Sequence, residues 1–186
     1  MELIELIKNR RTIHNYMDKP VPIDTLTTAM ELAIWAPNHK NTQPWLFYRL
    51  GPESRKKIVE LALKINTEKL GKELDTAQAA AIAKKFSNCS ELIVVGRVSQ
   101  QDPLMAHEDY ASVACAIQNI SLYLWQQGIG TKWSTGAITR HPDLYKIIDV
   151  APEKMVLEGF LWVGYAEVVP KTPPKSKIEN IFYNTK

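Results

Sequence analysis

The chain predicts a mixed fold of helices and strands, α/β or α+β, built around two buried strands and one buried helix. Residues 92–98 are β-branched and almost continuously apolar, as a strand covered on both faces must be. Residues 156–165 read as a second buried strand. Residues 110–131 form the longest uncharged run, and a helix apolar nearly all round lies in a core or against a partner. Gln118, Asn119, Ser121, Gln126 and Gln127 inside that run argue against a lipid span.

The remaining elements follow in order. Residues 2–8 predict a short first helix carrying Leu3, Ile4, Leu6 and Ile7. Pro20 and Pro22 break the chain, and Asp24 is expected to cap a helix over 25–35, with Leu26, Met30, Ala33 and Ile34 on one face. Pro37 ends it. A strand is expected over 45–50, closed by Gly51 and Pro52. A helix near 53–65 shows Ile58, Leu61, Ala62 and Ile65 at helical spacing. The Ala- and Lys-rich segment 72–87 is helical but weakly apolar, which suits a peripheral element or a lid. Gly128 and Gly130 mark a helix C-terminus, and Pro142 opens a helix over 142–149. The tail from 170 holds three prolines and four lysines and cannot be core.

At 186 residues the chain suits one domain (1–186) with an extended C-terminal arm from about 170, and it shows no internal repeat. Its 45% hydrophobic and 23% charged content is ordinary for a globular protein. The net charge of +3 is too small for a typical DNA-binding domain, and aromatics do not interleave with the basic residues. Basic residues gather instead at the two ends, Lys8, Arg10 and Arg11, then Lys171, Lys175 and Lys177, which suits a small anion. The start, Met-Glu-Leu-Ile-Glu, lacks the basic flank and long apolar core of a signal peptide, so a cytoplasmic setting is expected. Cys89 and Cys115 read as buried thiols rather than a disulfide or metal pair.

Two segments carry chemistry. Arg10-Arg11-Thr12 sets two guanidiniums beside a hydroxyl, a kit for binding phosphate oxygens through paired, charge-assisted hydrogen bonds. The same arginines also suit the C-terminal end of the first helix, where the dipole favours cations. The loop 38–43 offers amides and an imidazole that can read the edge of a heterocycle. Together they point to a phosphorylated ring cofactor. Gly128-x-Gly130 is not a dinucleotide fingerprint, because no third glycine follows and a helix precedes it. The histidines show no metal-ligand spacing, Gly-x-Ser-x-Gly is absent, and Asp102, Glu108 and Asp109 are expected to precede the buried helix and complement its dipole.

Four segments in register resemble the FMN-dependent nitroreductase family, and within it a small NAD(P)H-using branch of about this length. They are Arg10-Arg11-Thr12, the run from Ala36 through Pro37, Asn38, His39, Lys40, Asn41, Thr42 and Gln43 to Pro44 and Trp45, Gly128 through Gly136, and Glu158 through Tyr165. The resemblance decides for α+β, a three-layer sandwich with a mixed central sheet around a buried helix, assembled as a homodimer. It implies that Arg10, Arg11 and Thr12 hold the phosphate and ribityl end of FMN, with Lys171 near a basic position at the same phosphate. It implies that Pro37, Asn38, His39, Asn41 and Gln43 reach the flavin of the partner subunit. Trp35 either packs on that flavin or serves as an ordinary interface aromatic. Trp133, Ser134, Thr135 and Gly136 are implied near the flavin ring, with an N–H aimed at N5 or O4. The implied activity moves hydride from NADH or NADPH through flavin to a nitroaromatic, quinone or similar small oxidant, with no side chain acting as nucleophile. Other oxidants (an enone, a halogenated phenol, oxygen) or a flavin-carrying partner protein are the alternatives. No nucleic-acid, membrane or metal partner is expected.

Overall fold

Four strands form one sheet in the computed structural model, which describes residues 2–185. They are β1 (Trp45–Arg49), β2 (Glu91–Val98), β3 (Gly130–Ser134) and β4 (Met155–Gly164), in the order β1-β2-β4-β3. All three pairings are antiparallel, which corrects the mixed sheet expected. The parallel element is a single bridge, Thr12 to Thr131, on the outer edge of β3. It arises because the segment after the first helix lies against β3 without forming a strand of its own.

Helices cover both faces, giving the three layers expected of an α+β sandwich. On one face α2 (Ile23–Ala33) and α5 (Pro103–Gln126) pack on Ile93, Val95, Leu161 and Val163. On the other, α3 (Pro52–Leu70), α4 (Thr76–Ser87) and α6 (Asp143–Ile148) surround Leu92, Val94, Phe160 and Trp162. Burial on both faces is why β2 and β4 read as unbroken apolar runs. The first helix, α1 (Leu3–Asn9), buries only Leu6 and leaves Leu3, Ile4 and Ile7 exposed.

Several boundaries differ from expectation. Helix α5 starts seven residues before Tyr110, with Pro103 in its first turn and Asp102 as its cap, accepting from the Leu104 N–H at 2.9 Å. Glu108 and Asp109 therefore lie inside the helix, not ahead of it. Helix α2 begins at Ile23 after Pro22, and Asp24 sits in its first turn without a capping hydrogen bond. Helix α3 runs to Leu70, closed by Gly71 in the left-handed conformation at φ 65°. Helix α4 starts at a capping box in which Asp75 and Gln78 serve each other's backbone N–H. Cys89 is buried, but Cys115 is exposed on α5, against expectation. No helix among the described residues is long and apolar enough to cross a membrane.

Strand β3 was not expected. Its residues, Gly-Thr-Lys-Trp-Ser, are too short and too polar to show a period, so Gly130 reads as helix end. Gly130 is there because a Cβ would stand 2.3 Å from Cγ1 of Ile13, the fully buried anchor of the Thr12 bridge. A bulge opposite β2 pairs Val95 with Gly159 and Gly96 with Leu157, leaving Glu158 as the extra residue. Gly159 adopts φ 141°, and a Cβ there would meet the Ser134 carbonyl oxygen at 2.6 Å. The bulge thereby seats the C-terminal end of β3, where the implied ring contacts fall.

Candidate functional site

Arg10, Arg11 and Thr12 leave the C-terminal end of α1 and are fixed by the bridge to β3, where the Ile13 N–H donates to the Thr131 carbonyl at 3.0 Å. They share a surface cavity of about 350 Å³ with His14, Pro170, Lys171, Pro173 and Lys175. Arg11 draws the C-terminal arm into place by donating to Thr172 Oγ1. It also donates to the carbonyls of Lys8 at 2.7 Å and Arg10 at 2.8 Å, so the helix-capping reading of this arginine holds as well. Among the described residues no carboxylate lies within 4.0 Å of Arg10, Arg11, Lys171 or Lys175. Partial burial and the neighbouring Arg11 push the Arg10 guanidinium below its ordinary pKa. Four cations facing one cavity without a counter-charge form an anion cradle.

The loop 38–43 is built in the opposite way. Lys40, Asn41 and Gln43 all have positive φ, at 53°, 54° and 48°. Non-glycine residues hold that conformation only where their surroundings impose it. Asn38 Nδ2 donates to Thr42 Oγ1 at 2.9 Å and Ser112 Oγ at 3.2 Å, while Asn38 Oδ1 accepts from the Gln43 N–H at 2.7 Å. Gln43 Nε2 reaches Asn41 Oδ1 at 3.4 Å. Thr42 Oγ1 donates to Asp109 Oδ1, and His39 Nδ1 lies 2.8 Å from Glu108 Oε2. Asp109 is 1% exposed, and its second oxygen has no partner. Glu108 and Asp109 thus grip the loop, a role no local sequence signal announces. Trp35, Pro37, His39, Asn41 and Gln43 remain exposed, Trp35 to 79%.

Trp133, Ser134, Thr135 and Gly136 divide between the two faces of the sheet. The Trp133 ring packs on the α5 side, 6.2 Å from the Tyr110 ring, with its Nε1 donating to the Glu158 carbonyl at 3.0 Å. Ser134 Oγ accepts from Trp162 Nε1 at 2.7 Å on the α3 and α4 side. There Ser134, Thr135 and Gly136 border a cavity of about 250 Å³ walled by Phe86, Phe160 and Trp162, with Asn66, Lys69 and Lys85. The Gly136 N–H already donates to Thr139 Oγ1 at 3.1 Å. Aromatic walls with ammonium groups suit a flat heteroaromatic ring that can carry negative charge. Sequence reasoning did not assign these wall residues. The signal available was the spacing of Phe160 and Trp162, which puts both on one face of β4.

The cradle and this cavity lie along the same edge strand. Thr131, bridged to Thr12, is three residues from Ser134, or about 10 Å of extended chain. The loop 38–43 leads into β1 at the opposite edge, three interstrand spacings or about 14 Å away. The fold therefore brings together Arg10, Arg11, Thr12 and Lys171, aligns Ser134, Thr135 and Gly136 with them, and leaves Trp35, Pro37, Asn38, His39, Asn41 and Gln43 apart. Among the described residues no group of three or more His, Cys, Asp or Glu could hold a metal ion.

Known proteins are similar to this chain over most or all of its length. The Bacillus subtilis protein named "Putative NAD(P)H nitroreductase YfhC" is 22% identical over 180 residues, covering 97% of this chain and 92% of its own. The Escherichia coli K12 protein named "Putative NAD(P)H nitroreductase YdjA" is 24% identical over 172 residues, covering 92% of each. A nitroreductase-like family protein from Bacillus cereus superposes with a TM-score of 0.87 at 26% identity, covering 100% of this chain and 97% of that one. A variant of the FMN and NADPH-dependent nitroreductase NfnB from Sphigopyxis sp. strain HMH shares the fold at a TM-score of 0.78 and 15% identity, covering 98% of both. A sequence model of the nitroreductase family matches residues 7–165, and the chain belongs to that family.

Proposed function

We propose that the protein is an FMN-dependent oxidoreductase, a homodimer that takes electrons from NADH or NADPH and passes them to a nitroaromatic, a quinone or a similar small oxidant. The observation that carries this reading is the carboxylate-free cradle of Arg10, Arg11 and Lys171, in line along β3 with an aromatic cavity. A phosphate at one end and a flat ring at the other match what these residues offer. The names of YfhC and YdjA, and the FMN and NADPH dependence in the name of NfnB, support the same cofactor and donor.

In this reading Arg10, Arg11, Thr12 and Lys171 hold the phosphate. Ser134, Thr135 and Gly136, with Phe86, Phe160 and Trp162, hold the ring and limit water around it. Asn38, His39, Asn41 and Gln43 approach from the partner subunit, with Trp35 and Pro37 at the interface. When bound, FMN supplies the reversible two-electron chemistry; the chain orients it and tunes its charge. Exposed apolar side chains support the dimer: Leu3, Ile4 and Ile7 on α1, Trp35 after α2, and Ile178, Ile181, Phe182 and Tyr183 on the C-terminal arm.

Cofactor released by heat and identified by chromatography tests the reading. FMN is expected, and recovery of FAD, or no flavin uptake on reconstitution, overturns it. Turnover of NADH and NADPH against nitroaromatics, quinones, enones and oxygen then ranks donor and oxidant.

A further inference from the structure

Lys132 lies on β3 between the residue that bridges to the cradle and the residue on the rim of the ring cavity. Its side chain turns to the α3 and α4 face, and the residue is only 9% exposed. The Nζ sits 4.0 Å from the centroid of the Trp162 ring, and Trp162 is a wall of that cavity. Among the described residues no carboxylate lies within 4.0 Å of this ammonium. The groups that act on it are Lys85 on α4 and the Cys89 thiol that follows α4. Lys69 on α3 lines the same cavity, adding a third positive charge. Glu91, on β2 beyond β4, is held by Arg49 through two hydrogen bonds of 2.8 Å. Burial, and then repulsion from Lys85, push the Lys132 ammonium below its ordinary pKa.

A largely buried cation whose one close partner is a π face is costly to keep charged. Folding supplies no counter-charge here, so an anion in the neighbouring cavity is what would offset it. We propose that Lys132 is a positioning residue that, through Trp162 and together with Lys85, favours the negatively charged reduced state of the ring bound in the cavity. The proposal rests on the FMN reading above. A hydride from the nicotinamide donor brings two electrons and one proton and leaves the donor as its oxidised cation. The ring would then carry one negative charge, with Lys85 lining its cavity and Lys132 against the indole of Trp162 that walls it.

The test is the reduction potential of the FMN-loaded protein, with oxidised-FMN affinity measured alongside. Lys132→Met keeps an apolar chain on the indole and removes the charge. The potential is expected to fall by about 30 mV or more, a tenfold or larger loss of preference for reduced over oxidised flavin. Near neutral pH the parent should shift by about 30 mV per pH unit, one proton per two electrons, and the variant should move toward about 59 mV. Lys132→Arg should restore the parent behaviour, and Lys85→Met, at an exposed position, should shift the potential in the same direction by less. If Lys132→Met does not fold, Lys85→Met decides. FMN-loaded variants with unchanged potential overturn the role of Lys132 and leave the FMN reading standing. Failure of the parent itself to take up FMN overturns the reading beneath it.

Discussion

At one edge of the sheet Arg10, Arg11, Lys171 and Lys175 share a cavity with no carboxylate in reach. At the other edge Asn38, Thr42, Gln43, Ser112 and Asp109 are tied to one another by hydrogen bonds, with Asp109 Oδ2 alone among them buried and unpartnered. The first region has polar capacity left over for a ligand. The second spends its polar groups on holding an unfavourable backbone still, and presents only its outer rim. Polarity alone therefore does not mark a ligand site; several like charges on one cavity without a counter-charge make the cradle the stronger candidate. On this contrast, losing the cradle should cost affinity with little stability, and losing the grip on the loop should cost stability first.

The largest effect is expected at the cradle. Arg10→Ala should weaken FMN binding by about 10- to 150-fold, the loss of one hydrogen bond to a charged group worth roughly 1.5–3 kcal/mol, and Arg10→Ala with Arg11→Ala by more. Fluorescence titration gives the affinity, and an unchanged thermal melt shows that the fold survives. Next comes a mixing experiment between that double variant and Asn38→Ala with Gln43→Ala. If each site takes its cradle from one chain and its loop from the other, random reassortment into two-fold dimers repairs about one quarter of the sites. A site built within one chain gains nothing from mixing.

A smaller effect is expected at Asp109. Asp109→Ala removes the acceptor of the Thr42 hydroxyl inside the protein and should lower unfolding free energy by about 1–3 kcal/mol in urea titration. Should it weaken FMN binding as strongly as Arg10→Ala while leaving stability intact, the division between the regions is wrong. The smallest effect belongs to Trp35→Ala. At 79% exposure within its own chain, the ring should change the stability of an isolated subunit by less than about 0.5 kcal/mol. A much larger loss in the assembled protein, read by light scattering as dissociation, would place the ring in the interface.

Much of this molecule was legible in the chain, and the failures have physical causes. Strands β2 and β4 announced themselves because both faces are buried, and Pro103 with Asp102 wrote the start of α5 in plain terms. Glu108 and Asp109 obscure that start because acidic residues read as a lead-in to a helix; burial of Asp109 against Thr42 is a tertiary fact. The pairing of Arg10, Arg11 and Thr12 was readable from residue type, whereas the arrival of Lys171 depends on the bond from Arg11 to Thr172 across the fold. Strand β3 was hidden because its glycine serves a close approach by Ile13, and its lysine is buried against Trp162. The segment over 72–87 reads as peripheral by composition, yet Phe86 and Lys85 line the aromatic cavity.

The bulge at Glu158 has a further consequence for how this protein can be altered. Met155 and Leu157, before it, face the same side as Phe160 and Trp162, after it, although the two pairs differ in odd and even numbering. Strand β4 thus behaves as two short strands spliced out of phase. Deleting Glu158 would remove the bulge and leave Met155, Leu157, Phe160 and Trp162 on one face of a regular strand, whereas deleting a residue within either half would turn part of that half to the opposite face. Substitutions at Phe160 or Trp162 can accordingly reshape the aromatic cavity without touching the register of the first half.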